Sequence, residues 1–257
     1  MAPHQRPESW LVPLLDLAPL HYLNEFRKLH GLGPSRNLIS SIITETEVDK
    51  ETQLENNSPA YHGNKTLRRN ICADISQEQS CRLWIMGLPP TCTVHQLLSC
   101  IRGIGPIFAC HLTPPRVDGT KIWETSAASL TFFTADAANK FLARHIADPF
   151  TVGGFKTKVV KHMIKTKGVS VNGRSRVLRI VGDPDIVQPE LLYCVITEDW
   201  GVNFDTDYIH FNPGTTNEII WAFGSFRAQA HIICVSINTV FEGRAQAIYI
   251  ADPCIQG

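Results

Sequence analysis

From Cys81 onward the chain reads as short apolar segments separated by turn residues, and the segments follow a definite order. RLWIMGL, at residues 82–88, alternates and is rich in β-formers, which predicts a strand. Thr93, with Gln96 three positions on, is a capping-box signature opening a helix through VHQLLSCIRGIG that Gly103 and Gly105 end. PIFACHL predicts a second strand, PPRVDGTK a loop of turn residues, and AASLTFF a third strand. Thr134 is placed to cap a second helix, ADAANKFLARHI, whose apolar face is Ala137, Ala138, Phe141 and Leu142. VGGFKTKVVKHMI then predicts a closing strand entered through a tight turn at Gly153 and Gly154. The predicted order is βαββαβ.

The same order recurs about 95 residues later. Gly87 ends RLWIMG and Gly182 ends VLRIVG; Cys100 and Cys194 lie at matching points of the helices that follow. Asp118-Gly119 and Pro213-Gly214 mark matching loops, and Phe132 and Phe226 end matching strands. The second unit is expected to run VLRIVG, a helix from about Gln188 to Trp200, TDYIHF, EIIWAFGSF, a helix from Arg227 to about Phe241, and AQAIYIA. This order predicts an α+β chain of two tandem ferredoxin-like βαββαβ sandwiches, each a four-stranded antiparallel sheet with two helices on one face. The expected divisions are a first unit at 81–164, a linker at 165–175 and a second unit at 176–257.

Residues 1–80 have a different texture. Leu20, Leu23, Phe26 and Leu29 recur at helical spacing, so a short amphipathic helix could dock on the body, bind a partner or form transiently. From about Gly33 the composition turns to Ser, Thr, Asn, Glu and Gln, which predicts a disordered leader ending at Cys81. None of the apolar runs approaches the roughly 18 residues of a membrane span. The eight cysteines form no CxxC pair and follow no secretory signal, so reduced thiols are expected, in the nucleus or cytoplasm. Paired short ligand spacings are missing as well, so no metal site is expected.

Charge adds the next constraint. The 257 residues carry 24 Lys and Arg against 24 Asp and Glu, a balance that argues against a polyanionic partner until it is resolved along the chain. Residues 156–182 contain eight basic side chains and no acidic one, whereas residues 183–257 contain two basic and ten acidic. The zero is a cancellation of a basic stretch by an acidic unit.

On strands, alternation assigns faces. Leu83, Ile85, Ala128, Leu130 and Phe132 are expected to face the helices, leaving Trp84, Met86, Ala127, Ser129 and Thr131 on the open face. The alternation that buries Phe155, Thr157 and Val159 is expected to turn Lys156 and Lys158 to the same open face, with Lys161 leading into the linker.

At these strands the chain resembles the RNA recognition motif family, as two tandem degenerate copies of which the first is the clearer match. LWIMGL resembles the family's first-strand signature, with Trp84 at the stacking position. The third-strand signature is degraded, with Ala127 and Ser129 where the exposed aromatics belong. In the second unit the resemblance places Arg179 at the stacking position and Trp221 and Phe223 at both exposed aromatic positions. What the resemblance implies is single-stranded RNA as partner, held by stacking on Trp84 and by Lys156, Lys158 and Lys161, with Arg179, Trp221 and Phe223 as a second platform. Met86, Ser129 and Thr131 would complete the first surface. The alternative is that Trp84 is covered by another part of the chain, or that Trp84 or the Trp221/Phe223 face binds a protein instead. The acidic surplus of the second unit disfavours phosphates there.

No GxSxG elbow, P-loop or metal-spaced His/Glu set is present, and Gly103-Ile104-Gly105 follows a helix, the reverse of a dinucleotide loop. A non-catalytic role is expected, with no cofactor, no small-molecule substrate and no membrane.

Overall fold

The computed structural model describes residues 71–256. The amphipathic helix expected around residues 20–29, and the leader up to residue 70, lie outside the described residues. The leader's last ten residues are described, and they are tied to the first unit at both ends while residues 76–79 between them are exposed. Ala73 N–H donates to Lys165 O at 2.9 Å, Cys81 N–H donates to Thr166 O at 2.9 Å, and Cys72 and Ser80 are buried.

The first unit comprises β1 (Arg82–Leu88), α1 (Val94–Ser99), β2 (Ile107–Thr113), β3 (Arg116–Asp118), β4 (Lys121–Trp123), β5 (Ser126–Phe132), α2 (Ala135–Ala147), β6 (Thr151–Val152), β7 (Phe155–Lys156) and β8 (Lys158–Lys161). Its four-stranded sheet has the order β2-β5-β1-β8, all neighbours antiparallel. α1 begins with the reciprocal capping box: Gln96 N–H donates to Thr93 Oγ1 at 3.1 Å and Thr93 N–H donates to Gln96 Oε1 at 3.0 Å. Such a cap contributes about 1 kcal/mol. The helix ends at Ser99, earlier than the sequence pattern suggests, and the stretch to Gly105 is an irregular loop. Thr134 caps α2 as expected.

Two hairpins extend this unit. The stretch PPRVDGTK, expected to be a loop, contributes β3, the turn at Gly119 and Thr120, and the first residue of β4. Gly153 and Gly154 close β6 onto β7 with φ of 55° and 82°, the paired positive values of a two-residue hairpin turn that only glycine adopts without strain. Phe155 lies on this hairpin 40% exposed, not buried as alternation predicts, because β7 and β8 are separate strands with the alternation broken between them.

The second unit comprises β9 (Val177–Gly182), α3 (Pro189–Cys194), β10 (Thr206–Asn212), β11 (Asn217–Phe223), α4 (Ile232–Val240) and β12 (Ala245–Tyr249), with sheet order β10-β11-β9-β12. The two sheets therefore repeat one topology. Each of the second unit's helices contains a π-helical stretch, Val195–Asp199 after α3 and Phe226–His231 before α4.

Each unit has its own core. Leu83, Ile85, Leu130 and Phe132 meet Leu97, Leu98, Ala138 and Phe141 in the first; Leu178, Ile180 and Ile219 meet Leu191, Leu192, Ile233 and Ile237 in the second. The units also pack on each other. Phe108 and Phe133 of the first meet Phe226 of the second, with centroids 5.9 and 5.5 Å away, and Cys110 N–H donates to Gly224 O at 2.8 Å.

Candidate nucleic-acid interface

The helix-free face of the first sheet is built by register. β1 lies between β5 and β8, pairing Trp84 with Ser129 on one side and Val160 on the other; Met86 pairs with Lys158. Paired residues project to the same face. Because Leu83 and Ile85 are sealed in the core, Trp84, Met86, Ser129, Val160 and Lys158 share the open one.

Trp84 is half-buried, and the His162 ring stands edge-on to it with centroids 5.5 Å apart and planes at 77°. His162 Nδ1 accepts the Ile164 N–H at 2.9 Å, which fixes the neutral ring with its proton on Nε2. Burial, helped by the neighbouring Arg82 charge, pushes its pKa down to about 4. Arg82 opposes Thr131 and donates from Nε to Ser129 Oγ at 2.7 Å. Ser129 and Thr131 thus lie on the expected face but are 5% and 6% exposed, closed off from a ligand. Lys156 and Lys158 are exposed. The result is an indole in T-shaped contact with a neutral imidazole, with lysines toward the β7–β8 end of the sheet.

Lys161 departs from the expectation. It pairs with Leu83, which puts it on the helix side, and its ammonium donates to Asn139 Oδ1 at 2.5 Å and Ser80 O at 3.1 Å. The cause is the alternation itself: two residues after the inward Val159, the side chain at the sheet edge reaches along α2 instead of toward the open face.

The second sheet overturns the expected second platform. Trp221 and Phe223 are both 0% exposed, stacked on each other at 5.3 Å and 18°, with Phe204 edge-on to each. Trp221 pairs with the core residue Leu178, and its indole N–H donates to Thr206 Oγ1 at 3.0 Å. These rings belong to the hydrophobic core, so β11 has the opposite phase to the one that the family signature implies. Arg179 is on the open face, where its guanidinium is bonded to the Glu218 carboxylate, which it holds below the usual carboxylate range. The same face closes at one end, since Val177 and Ala222 have no exposed surface.

The basic run is likewise divided. Arg176 is fully buried: Nε and Nη2 donate to the two oxygens of Asp252 at 2.9 and 3.0 Å, and Nη1 donates to Asp207 Oδ2 at 2.8 Å and Phe223 O at 2.9 Å. Asp207 also meets His95 of α1 at 2.9 Å. Lys165 donates to Ile75 O, whereas Lys167 and Arg174 are exposed. Of eight basic residues, four (Lys156, Lys158, Lys167 and Arg174) remain as exposed cations on the first unit and linker. Two residues beside Trp84 escaped the sequence reading. Arg82 shares the parity of Trp84 and Met86, and His162 that of Lys158 and Val160, so continuing the alternation by one step at either end finds both.

No family model matches this chain, and no curated protein matches it in sequence. Solved structures do match. The Sex-lethal protein–RNA complex is 17% identical over 66% of this chain and 99% of that one, with a TM-score of 0.26. The first two RRM domains of the yeast poly(U)-binding protein are 14% identical over 66% and 99%, also at 0.26. The three N-terminal RNA-binding domains of the yeast splicing factor Prp24 are 13% identical over 66% and 64%, at 0.29. Sheet order and helix placement, repeated in both units, make the described chain two tandem ferredoxin-like βαββαβ domains.

Proposed function

We propose that the protein is a non-catalytic binder of single-stranded RNA that uses the open face of its first sheet. The observation that carries this reading is the register placing Trp84 and Met86 in one row on β1, with Lys158 opposite Met86 and Lys156 on the adjoining hairpin. A base stacks on the indole and the lysines attract phosphates. The second unit is assigned to protein contact. Withdrawal of Trp221 and Phe223 removes its stacking platform, and its open face presents Ile248 and Ile220 around the Arg179–Glu218 pair.

Titration with pooled single-stranded RNA at two salt concentrations tests the proposal. Loss of one stacked base by Trp84→Ala costs about 1–3 kcal/mol, roughly 5- to 150-fold in affinity. Each lysine on a phosphate contributes about 0.7 log units per decade of salt, so Lys156→Ala/Lys158→Ala should flatten the slope by about 1.4. Parent protein that fails to bind at low salt, or binding indifferent to Trp84→Ala, overturns the reading.

A further inference from the structure

The loop between α1 and β2 offers backbone donors that neither helix nor sheet uses, and all are taken by one segment from the far end of the described chain. Gly103 N–H donates to Gln256 O at 2.8 Å, while Ile104 and Gly105 N–H both donate to Cys254 O, at 3.0 and 3.1 Å. Ile107 N–H, at the start of β2, donates to Asp252 Oδ2 at 2.9 Å. Cys254 has no exposed surface and belongs to the first unit's core, not to that of the second unit from which it comes. The segment is preorganised: Asp252 caps a single 3₁₀ turn by accepting the Cys254 N–H at 3.0 Å, and Pro253 occupies the first turn position, where no N–H is needed.

We infer that this flank of the first unit is a peptide-docking groove for a turn-forming Asp-Pro-Cys segment, filled in cis by residues 252–256. Recognition has three parts. Backbone N–H groups read the peptide carbonyls, Ile107 N–H reads the aspartate, and a closed pocket, in which the Arg102 and Arg176 guanidinium groups and the Leu98 carbonyl lie 3.8–3.9 Å from the sulfur, accepts a side chain the size of a thiol. Asp252 holds Arg176 with the rest of its carboxylate, so filling the groove also ties the second unit to the first.

The test empties the groove in the full chain with Cys254→Arg, whose long charged side chain cannot enter a closed pocket, and adds the fluorescent peptide acetyl-Ala-Asp-Pro-Cys-Ile-Gln-amide. Because the parent's groove is already filled, the variant should bind the peptide at least about tenfold more tightly, and a peptide with Ala for Asp should lose that gain. Equal binding to parent and variant, or no binding to a folded variant, overturns the inference. A second measurement needs no substitution: site-resolved alkylation of the parent under native conditions. A docked segment opens without unfolding either core, so Cys254 should react at least about tenfold faster than Cys194 and Cys234 of the second core. Equal rates would make the segment an inseparable part of one core and overturn the groove.

Discussion

Arg176 gives the sharpest energetic prediction. Its guanidinium is fully buried between two carboxylates, of which Asp252 is also fully buried and Asp207 is 5% exposed. Arg176→Met fills a similar volume but leaves both anions without their cation. Removing one partner of a buried pair costs about 3–5 kcal/mol. Asp252 keeps the Ile107 and Cys254 N–H donors and Asp207 keeps His95, which places the expected loss near the lower end, about 3 kcal/mol. With a urea dependence of about 2–3 kcal/mol per molar, the unfolding midpoint should fall by about 1–1.5 M. Urea titration followed by circular dichroism measures this. Arg179→Met is the internal comparison, because the Arg179–Glu218 pair has the same chemistry on a surface where such pairs contribute about 0–1 kcal/mol. If the two variants lose equal stability, or Arg176→Met loses less than about 1 kcal/mol, the buried cluster does not hold the units as described.

Three further outcomes follow from the packing. His162 titrates near 4 when folded against about 6.5 unfolded, so between those values only the unfolded chain takes the proton. Its contribution is intact above pH 6.5 and stability falls as pH drops toward 4, by up to about 3 kcal/mol. His162→Gln should flatten that part of the urea-derived stability profile, and a parent-minus-variant difference independent of pH would refute it. Trp221→Ala should cost about 3–5 kcal/mol in denaturant titration, as deletion of a large core ring does, yet leave the RNA affinity of the folded protein unchanged. Affinity lost without stability would restore Trp221 to the binding surface. Gly182→Ala should destabilise by about 1–3 kcal/mol in thermal melts, because its Cβ would fall 2.4 Å from Arg244 O and 2.6 Å from Ala245 Cα on the paired strand. A neutral effect would mean that β9 and β12 are not in this register.

What the chain reveals before folding depends on whether a signal is local. The capping box at Thr93, the cap at Thr134, the Gly153-Gly154 turn and the inward row Leu83, Ile85, Leu130 and Phe132 are written in consecutive or alternating residues, and all four are found in the structure. In β11 a family signature and the local alternation conflict, and alternation wins. Glu218, Ile220 and Ala222 form the row that includes the charge, so Ile219, Trp221 and Phe223 go inward. Charge counting misleads at Arg176 and Lys161 for a related reason: both count as cations, but the first is neutralised by Asp207 and Asp252 and the second faces α2. Nothing in DPCIQ announces that it completes another unit's core, because contacts between residues about 150 apart leave no local pattern.

The central claim, that RNA lies across the first sheet, is tested most directly by ultraviolet crosslinking of the full chain to pooled single-stranded RNA, with crosslinked residues identified by mass spectrometry. The account predicts crosslinks in the strand containing Trp84 and Met86 and around Lys156 and Lys158, with the strand containing Trp221 and Phe223 unmodified. Crosslinks confined to the second sheet, or their absence from Trp84 and its neighbours when RNA is bound, would contradict it.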